Sequence, residues 1–252
     1  MTIKNKLYNG DVILNFDGFR HKYTVDDEPV PSVTTVLGII AKPQLINWAA
    51  YCAVDSVASA LEAGKAYDEL ELSTIFDTAR KAHYQKKVDA GNIGTFIHKW
   101  IEDYIKGTPQ GMPVNEDLKD SINHFLTWVE KYKVKFLLSE QMTYSKKYKY
   151  AGTTDFICTI NGDMYIGDTK TSSGIYPESL IQTSAYRYAR SEEFPEEKYK
   201  GQLIINIQKS GDFIFGVVRD DAIYQGMFKG FLSALNLYKT MEWLKLYKPD
   251  SK

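Results

Sequence analysis

Ala151-Gly152-Thr153-Thr154-Asp155-Phe156-Ile157-Cys158-Thr159-Ile160-Asn161-Gly162-Asp163-Met164-Tyr165-Ile166-Gly167-Asp168-Thr169-Lys170 decides the fold. Asn-Gly between two strand-like runs is the strongest short hairpin signal, because both turn positions require a left-handed backbone. With Asn161 and Gly162 as the loop, Ile160 pairs with Asp163. Counting back, Thr159 faces Met164, Ile157 faces Ile166 and Asp155 faces Asp168. Side chains alternate along a strand, so Lys170 shares the face of Asp168. Two carboxylates thereby stand opposite each other, their Cβ atoms about 4.5–5.5 Å apart.

Such a pair has two readings. A surface hairpin would carry it as an ordinary salt-bridged face. The opposite face, however, holds Phe156, Cys158, Ile160, Tyr165 and Gly167. Both faces are therefore apolar, the hairpin is expected to be central, and buried unpaired charge is expensive. A hard divalent cation, Mg²⁺ or Mn²⁺, relieves the repulsion between facing carboxylates. Lys170 adds an ammonium able to orient a water or stabilise developing charge.

Outward from the hairpin, residues 136–144 read as a preceding strand, 177–190 as a helix with Pro177 in its first turn, and 201–209 and 212–219 as two further strands. A long helix over 221–252 closes the chain. Upstream, residues 12–30 read as a hairpin turning at Asp17-Gly18, and Ser32 caps a helix start. Helical patterning continues over 45–61 and 70–90, Gly91 is read as a break, and a short helix over 93–106 ends at Gly107. A loop over 107–113 leads to a helix over 116–132. The expectation is one α/β (α+β) domain, 1–252, with a central mixed β-sheet flanked by helices. Its parts are an N-terminal hairpin (1–30), a helical part (31–132), a catalytic core (133–220) and a C-terminal helix (221–252).

The 252 residues can bury a substantial core. No run of about 18 apolar residues exists, so no membrane association is expected, and the first seven residues lack a secretory signal pattern. Cys52 and Cys158 sit in apolar surroundings and read as reduced, buried thiols, too few for an iron–sulfur cluster. A cytoplasmic protein is expected. The net charge of −1 excludes a generally basic surface but not a local basic groove. Lys131 to Lys135, Lys198 to Lys200, and Lys146-Lys147-Tyr148-Lys149-Tyr150 interleave lysine with tyrosine. That pattern suits a single strand stacking on aromatics, with Lys149 and Tyr150 as candidate contacts, and equally suits a solvated sheet edge.

Gly152-x-x-Asp155, Asp168-x-Lys170 and Gln182-x-x-x-Tyr186, with His98 on an earlier helix, together resemble the PD-(D/E)XK nuclease superfamily, nearest its RecB-type and phage exonuclease branch. Pro31-Ser32-Val33-Thr34-Thr35-Val36-Leu37 followed by Trp48 is similar to the amino-terminal arm of phage members. The resemblance spans about residues 30 to 220. It implies a restriction-endonuclease-like core with a helical N-terminal extension. It further implies that Asp155, Asp168 and the Thr169 carbonyl hold Mg²⁺ or Mn²⁺, with His98 as a further ligand. Lys170 would orient the attacking water, while Gln182 and Tyr186 contact substrate or lysine. Glu140 matches an acidic position of this branch. Glu102, one turn from His98, is either part of that element or a simple surface couple. Without the resemblance, Gln182 and Tyr186 equally read as a helix face packed on a sheet.

The implied activity is hydrolysis of DNA phosphodiesters, most simply by an exonuclease acting in phage-type recombination, replication or repair. A structure- or sequence-specific endonuclease and a non-catalytic nucleic-acid-binding module are the alternatives. No phosphate-binding G-x-x-x-x-G-K-[ST] loop is present, so exposed ends or single strands are the expected substrate. A recombinase, a single-strand-binding protein or a helicase are the expected protein partners.

Overall fold

In the computed structural model, which describes residues 2–108 and 111–247, the chain is a mixed α/β protein built on two sheets. Residues 109–110 of the expected loop and 248–252 of the expected C-terminal helix lie outside the described residues. The chain divides into two compact units, Met1–Ile39 with Ile97–Lys252, and Ile40–Phe96.

In the larger unit, β1 (Thr2–Leu7), β2 (Val12–Asp17), β3 (Lys22–Val25) and β4 (Glu28–Val30) form an antiparallel meander in that order. The expected hairpin is thus half of a four-stranded sheet. The additional β3–β4 turn falls at Asp26-Asp27, both with positive φ, a conformation that aspartate tolerates better than most residues. Leu7, Val12, Leu14 and Tyr23 bury one face of this sheet together with Met142, Tyr144 and Ala151. A short helix follows, α1 (Val33–Leu37), whose Ser32 cap accepts from the Thr35 N–H at 2.9 Å.

The second sheet has the order β5 (Lys135–Ser145), β6 (Tyr150–Ile160), β7 (Asp163–Lys170), β8 (Tyr199–Ile207) and β9 (Phe213–Val218). Only β7 and β8 run parallel, and their connection is the helix Pro177–Glu193. A parallel pair requires such a crossover. Strand β7 is therefore central and buried on both faces, as its near-continuous apolar run requires. On the side opposite the crossover helix, Phe125 and Trp128 of the helix Glu116–Lys131 join Phe136, Phe213 and Phe215 in an aromatic cluster.

Helix α2 (Gln44–Ala60) belongs to the smaller unit, where Cys52 and Ala79 are buried. Helix α3 (Glu69–Ile105) is continuous through Gly91, contrary to the expected break. Gly91 is exposed with open space around it, and a helical glycine costs only about 1 kcal/mol relative to alanine, too little to stop a long helix. Gly107, at φ +75°, lies just beyond the helix end, as expected. The helices Glu116–Lys131 (α4), Pro177–Glu193 (α5) and Asp221–Leu244 (α6) match expectation closely. Among the described residues no helix is long and apolar enough to cross a membrane. Both cysteines are free and buried.

Candidate active site

The Asn161-Gly162 turn takes positive φ at both residues and sets the expected register: Ile160 with Asp163, Thr159 with Met164, Ile157 with Ile166 and Phe156 with Gly167. The ladder ends at that pair, one step short of Asp155 and Asp168. There side chains replace the backbone ladder, since the Thr169 N–H donates to Asp155 Oδ2 at 2.7 Å and Thr154 Oγ1 donates to the Gly167 carbonyl at 2.8 Å. The Phe156 ring occupies the space above Gly167, where an added Cβ would lie 2.1 Å from Cε2. Glycine is thus required directly before Asp168.

Asp168 is 2% exposed. Its Oδ2 pairs with the Lys170 ammonium, and its Oδ1 accepts from Gln182 Nε2 at 2.9 Å. Lys170 Nζ also donates to Gln182 Oε1 at 3.1 Å, and Gln182 Nε2 donates to the Tyr186 hydroxyl at 2.9 Å. One glutamine side chain on α5 therefore ties together the lysine, the buried aspartate and the tyrosine, one helical turn on. Tyr186 is buried against Gly152, where an added Cβ would lie 2.5 Å from its Cε1. The close approach accounts for the glycine three residues before Asp155.

His98, on the part of α3 within the larger unit, places Nδ1 3.2 Å from Asp155 Oδ2. Burial works against its charged form, but the hydrogen bond and charge of Asp155 outweigh this, and the imidazole is held above its ordinary value. Burial likewise opposes charge on Lys170, and Asp168 outweighs it, so the ammonium stays charged. Burial is also the main influence on Asp168; there it prevails over Lys170 and pushes the carboxyl up to about 6. Glu140 lies on β5 between the ladder pairs Ser139–Phe156 and Gln141–Thr154, beside Asp155. Crowding by the protein, then the charges of Asp155 and Glu102, push it up to about 7, although its side chain reaches the surface and solvent screens part of the effect. Glu140 has φ +49°, a left-handed conformation in the middle of a strand. Such a conformation costs on the order of 1–3 kcal/mol, and the surrounding strand pairs hold it in place. Sequence patterning carries no signal for it.

The remaining expected residues fall into two groups. Glu102 pairs with Lys99 and Lys106 on its own helix, so its contribution here is charge near Glu140 rather than contact with His98. Tyr150 is fully buried, with its hydroxyl donating to the Ala185 carbonyl at 2.9 Å, and has no surface for substrate. Lys149 is exposed, its ammonium 5.8 Å from the centre of the Tyr144 ring, which fits the solvated sheet edge. Two residues absent from the expectation also emerge. Tyr23 hydrogen-bonds Thr153 at 2.8 Å, joining the first sheet to β6 two residues from Asp155. Asn206, the β8 partner of Lys170, is fully buried, and neither of its side-chain polar atoms has a partner among the described residues.

Among the described residues, no three His, Cys, Asp or Glu side chains are grouped as they stand to hold a metal ion. The Asp168 oxygens face Lys170 and Gln182, and His98 is turned onto Asp155. The donor chemistry nevertheless fits a hard divalent cation. Carboxylates at Glu140, Asp155 and Asp168 occupy adjacent strands, and two of them, Glu140 and Asp168, are pushed up by burial and by the charge of Asp155, a burden a cation removes.

By sequence, the chain matches no family model and no curated protein. Solved structures with a resembling outline include that of SSO0001, at 12% identity and a TM-score of 0.30, covering 73% of this chain and 84% of that one. An alkaline exonuclease, LHK-Exo from Laribacter hongkongensis, aligns at 10% identity and a TM-score of 0.30 over 80% of this chain and 99% of its own. The same exonuclease in complex with dAMP aligns at 12% identity and a TM-score of 0.29, over 79% and 97%. Superpositions this loose say nothing about what the present chain binds or cleaves.

Proposed function

We propose that the chain is a Mg²⁺- or Mn²⁺-dependent deoxyribonuclease with a restriction-endonuclease-like core, acting on exposed ends or single strands of DNA. The observation that supports this reading is the linked set Asp155, Asp168, Lys170, Gln182 and Tyr186 at the carboxyl end of the central strand β7, with His98 against Asp155. Open α/β sheets place their ligands at that end of the parallel strands.

Asp155, Asp168, the Thr169 carbonyl and His98 would hold the cation, with Glu140 beside them. When bound, it supplies neutralisation of the phosphate and acidification of a coordinated water. The chain's own groups do the rest. Lys170, held charged by Asp168 and fixed in direction by Gln182, presents an ammonium where the pentacovalent phosphorus gathers negative charge. Gln182 keeps its carbonyl toward the lysine because its amide nitrogen is committed to Asp168 and Tyr186. Tyr186, locked against Gly152, fixes the rotamer of Gln182. Asp155, anchored by the Thr169 N–H, holds the His98 ring in one orientation.

The deciding experiment is digestion of end-labelled linear single- and double-stranded DNA in Mg²⁺, Mn²⁺ or chelator, with Asp168→Ala and Lys170→Ala in parallel. Cleavage that requires the cation and is abolished in both variants is expected. Metal-dependent cleavage that survives both substitutions would overturn the assignment.

A further inference from the structure

The loops leaving β7 and β8 enclose a pocket of about 310 Å³ lined by Thr171, Ser172, Ser173, Gln208, Lys209 and Ser210. It begins one residue beyond Lys170 and two beyond Asn206, which are partners in the parallel ladder, so it sits directly outside the candidate active site. Its lining is four hydroxyls, one amide and one ammonium, with no carboxylate and no aromatic face. This composition suits an oxyanion and offers a nucleobase nothing to stack on.

We propose that this pocket binds a backbone phosphate of the DNA strand neighbouring the one held at Lys170. The inference rests on the nuclease reading and extends it to a second phosphate position, contributed by residues that take no part in the chemistry.

Three observations support it. First, Lys209 is half-buried and burial lowers its ammonium from the ordinary value; among the described residues no carboxylate offsets this. A cation partly removed from water without a counter-charge is a standing invitation to an anion. Second, Asp212, the acid on the same loop, accepts the Ser210 proton at 3.0 Å rather than pairing with Lys209, so Ser210 serves the loop and the other donors remain for a ligand. Third, internal bonds shape the loop without consuming all its donors. Ser172 donates to the Gly174 carbonyl at 2.8 Å, and Ser173 shares a proton with the Tyr176 hydroxyl at 2.7 Å, leaving Ser173 free to donate outward when Tyr176 donates to it.

The test is fluorescence anisotropy of a labelled single-stranded oligonucleotide, in chelator and at several salt concentrations, with wild type, Lys209→Ala and Lys209→Glu. A phosphate contact at Lys209 predicts that the alanine variant binds about five- to tenfold more weakly and that the salt slope falls by about one. The glutamate variant is expected to bind more weakly still, and thermal melting of all three to coincide. A second arm uses oligonucleotides bearing one uncharged methylphosphonate at successive positions. One position is expected to weaken wild type without further weakening Lys209→Ala, which places that phosphate on that lysine. Equal losses for both proteins at every position, or unchanged affinity of Lys209→Ala, overturn the proposal. If wild type cuts DNA and the lysine variants bind identically, the pocket alone is refuted. If wild type neither binds nor cuts, the nuclease reading falls with it.

Discussion

The His98 imidazole lies 3.2 Å from the Asp155 carboxylate, a helical side chain held by a residue of the strand next to the central one. Asp155 raises the folded-state value of His98 above 6.5, against the opposing effect of burial. A group raised on folding contributes stability that is complete below its unfolded value and is lost as pH rises through the folded one. In chelator, His98→Ala should therefore lower the melting temperature most below pH 6.5, and the gap from wild type should narrow as pH rises. Melting curves of both proteins between pH 5 and 9 check this. A gap that stays constant with pH would mean that the ring contributes packing rather than charge.

Glu140 shares the direction of the pH dependence but for a different reason, because its charged form is the one that burial disfavours. Its carboxyl is an acid raised from 4.5 to about 7, so the folded state retains a proton that the unfolded chain releases, and stability declines as pH climbs through that window. Glu140→Gln should leave the melting temperature unchanged below pH 4.5 and raise it at pH 8. Glu140→Gly should in addition relieve the left-handed backbone, worth roughly 1 kcal/mol. Both variants are expected to lose activity while gaining stability. The result to look for is a higher melting point at pH 8 in chelator, with a smaller difference once Mg²⁺ is added to wild type.

Most of the sheet was legible because its determinants are local. Asn161-Gly162 specifies a turn type, the turn specifies the register from Ile160–Asp163 to Phe156–Gly167, and that register leads toward Asp155 and Asp168, whose charges act on each other. Pro177 and Ser32 announce helix starts for equally local reasons. What escaped depends on tertiary context. Strand β1, Thr-Ile-Lys-Asn-Lys-Leu, buries only Leu7 and has little alternation to detect; β2 recruits it. Gly91 was misleading because a single glycine is a weak breaker in an exposed helix. Tyr150 lay in a lysine–tyrosine stretch that looked like surface, yet α5 and α6 cover it, with Phe231 stacked edge-on at 4.7 Å. The strain at Glu140 leaves no trace in composition or period.

Gly152 tests the support behind Gln182. Alanine there would bring a methyl group within 2.5 Å of Tyr186 Cε1, so the ring must move and carry its hydroxyl away from Gln182 Nε2. Gly152→Ala is expected to destabilise by about 1–3 kcal/mol and to lower kcat more than it raises KM. Gly226→Ala is the control: its Cβ meets nothing within 4 Å on α6, and removing a helical glycine should stabilise slightly. Equal kinetics for Gly152→Ala and wild type would separate Tyr186 from the lysine network.

Asn206 offers the sharpest contrast between stability and chemistry. It is fully buried beside Lys170 in the ladder, and both of its polar atoms lack partners among the described residues. A buried amide in that condition costs about 1–3 kcal/mol, so leucine, similar in volume and with nothing to desolvate, should stabilise the fold. Asn206→Leu is expected to raise the melting temperature by roughly 2–4 °C for each kcal/mol recovered. Nuclease turnover should fall at the same time, because the polar environment on one side of the Lys170 stem is removed. Asn206→Ser keeps a hydrogen-bonding group and should retain more turnover than the leucine variant. Calorimetry and initial rates on the three proteins decide the matter: a lower melting point in Asn206→Leu would show that the amide is satisfied in solution and serves the fold.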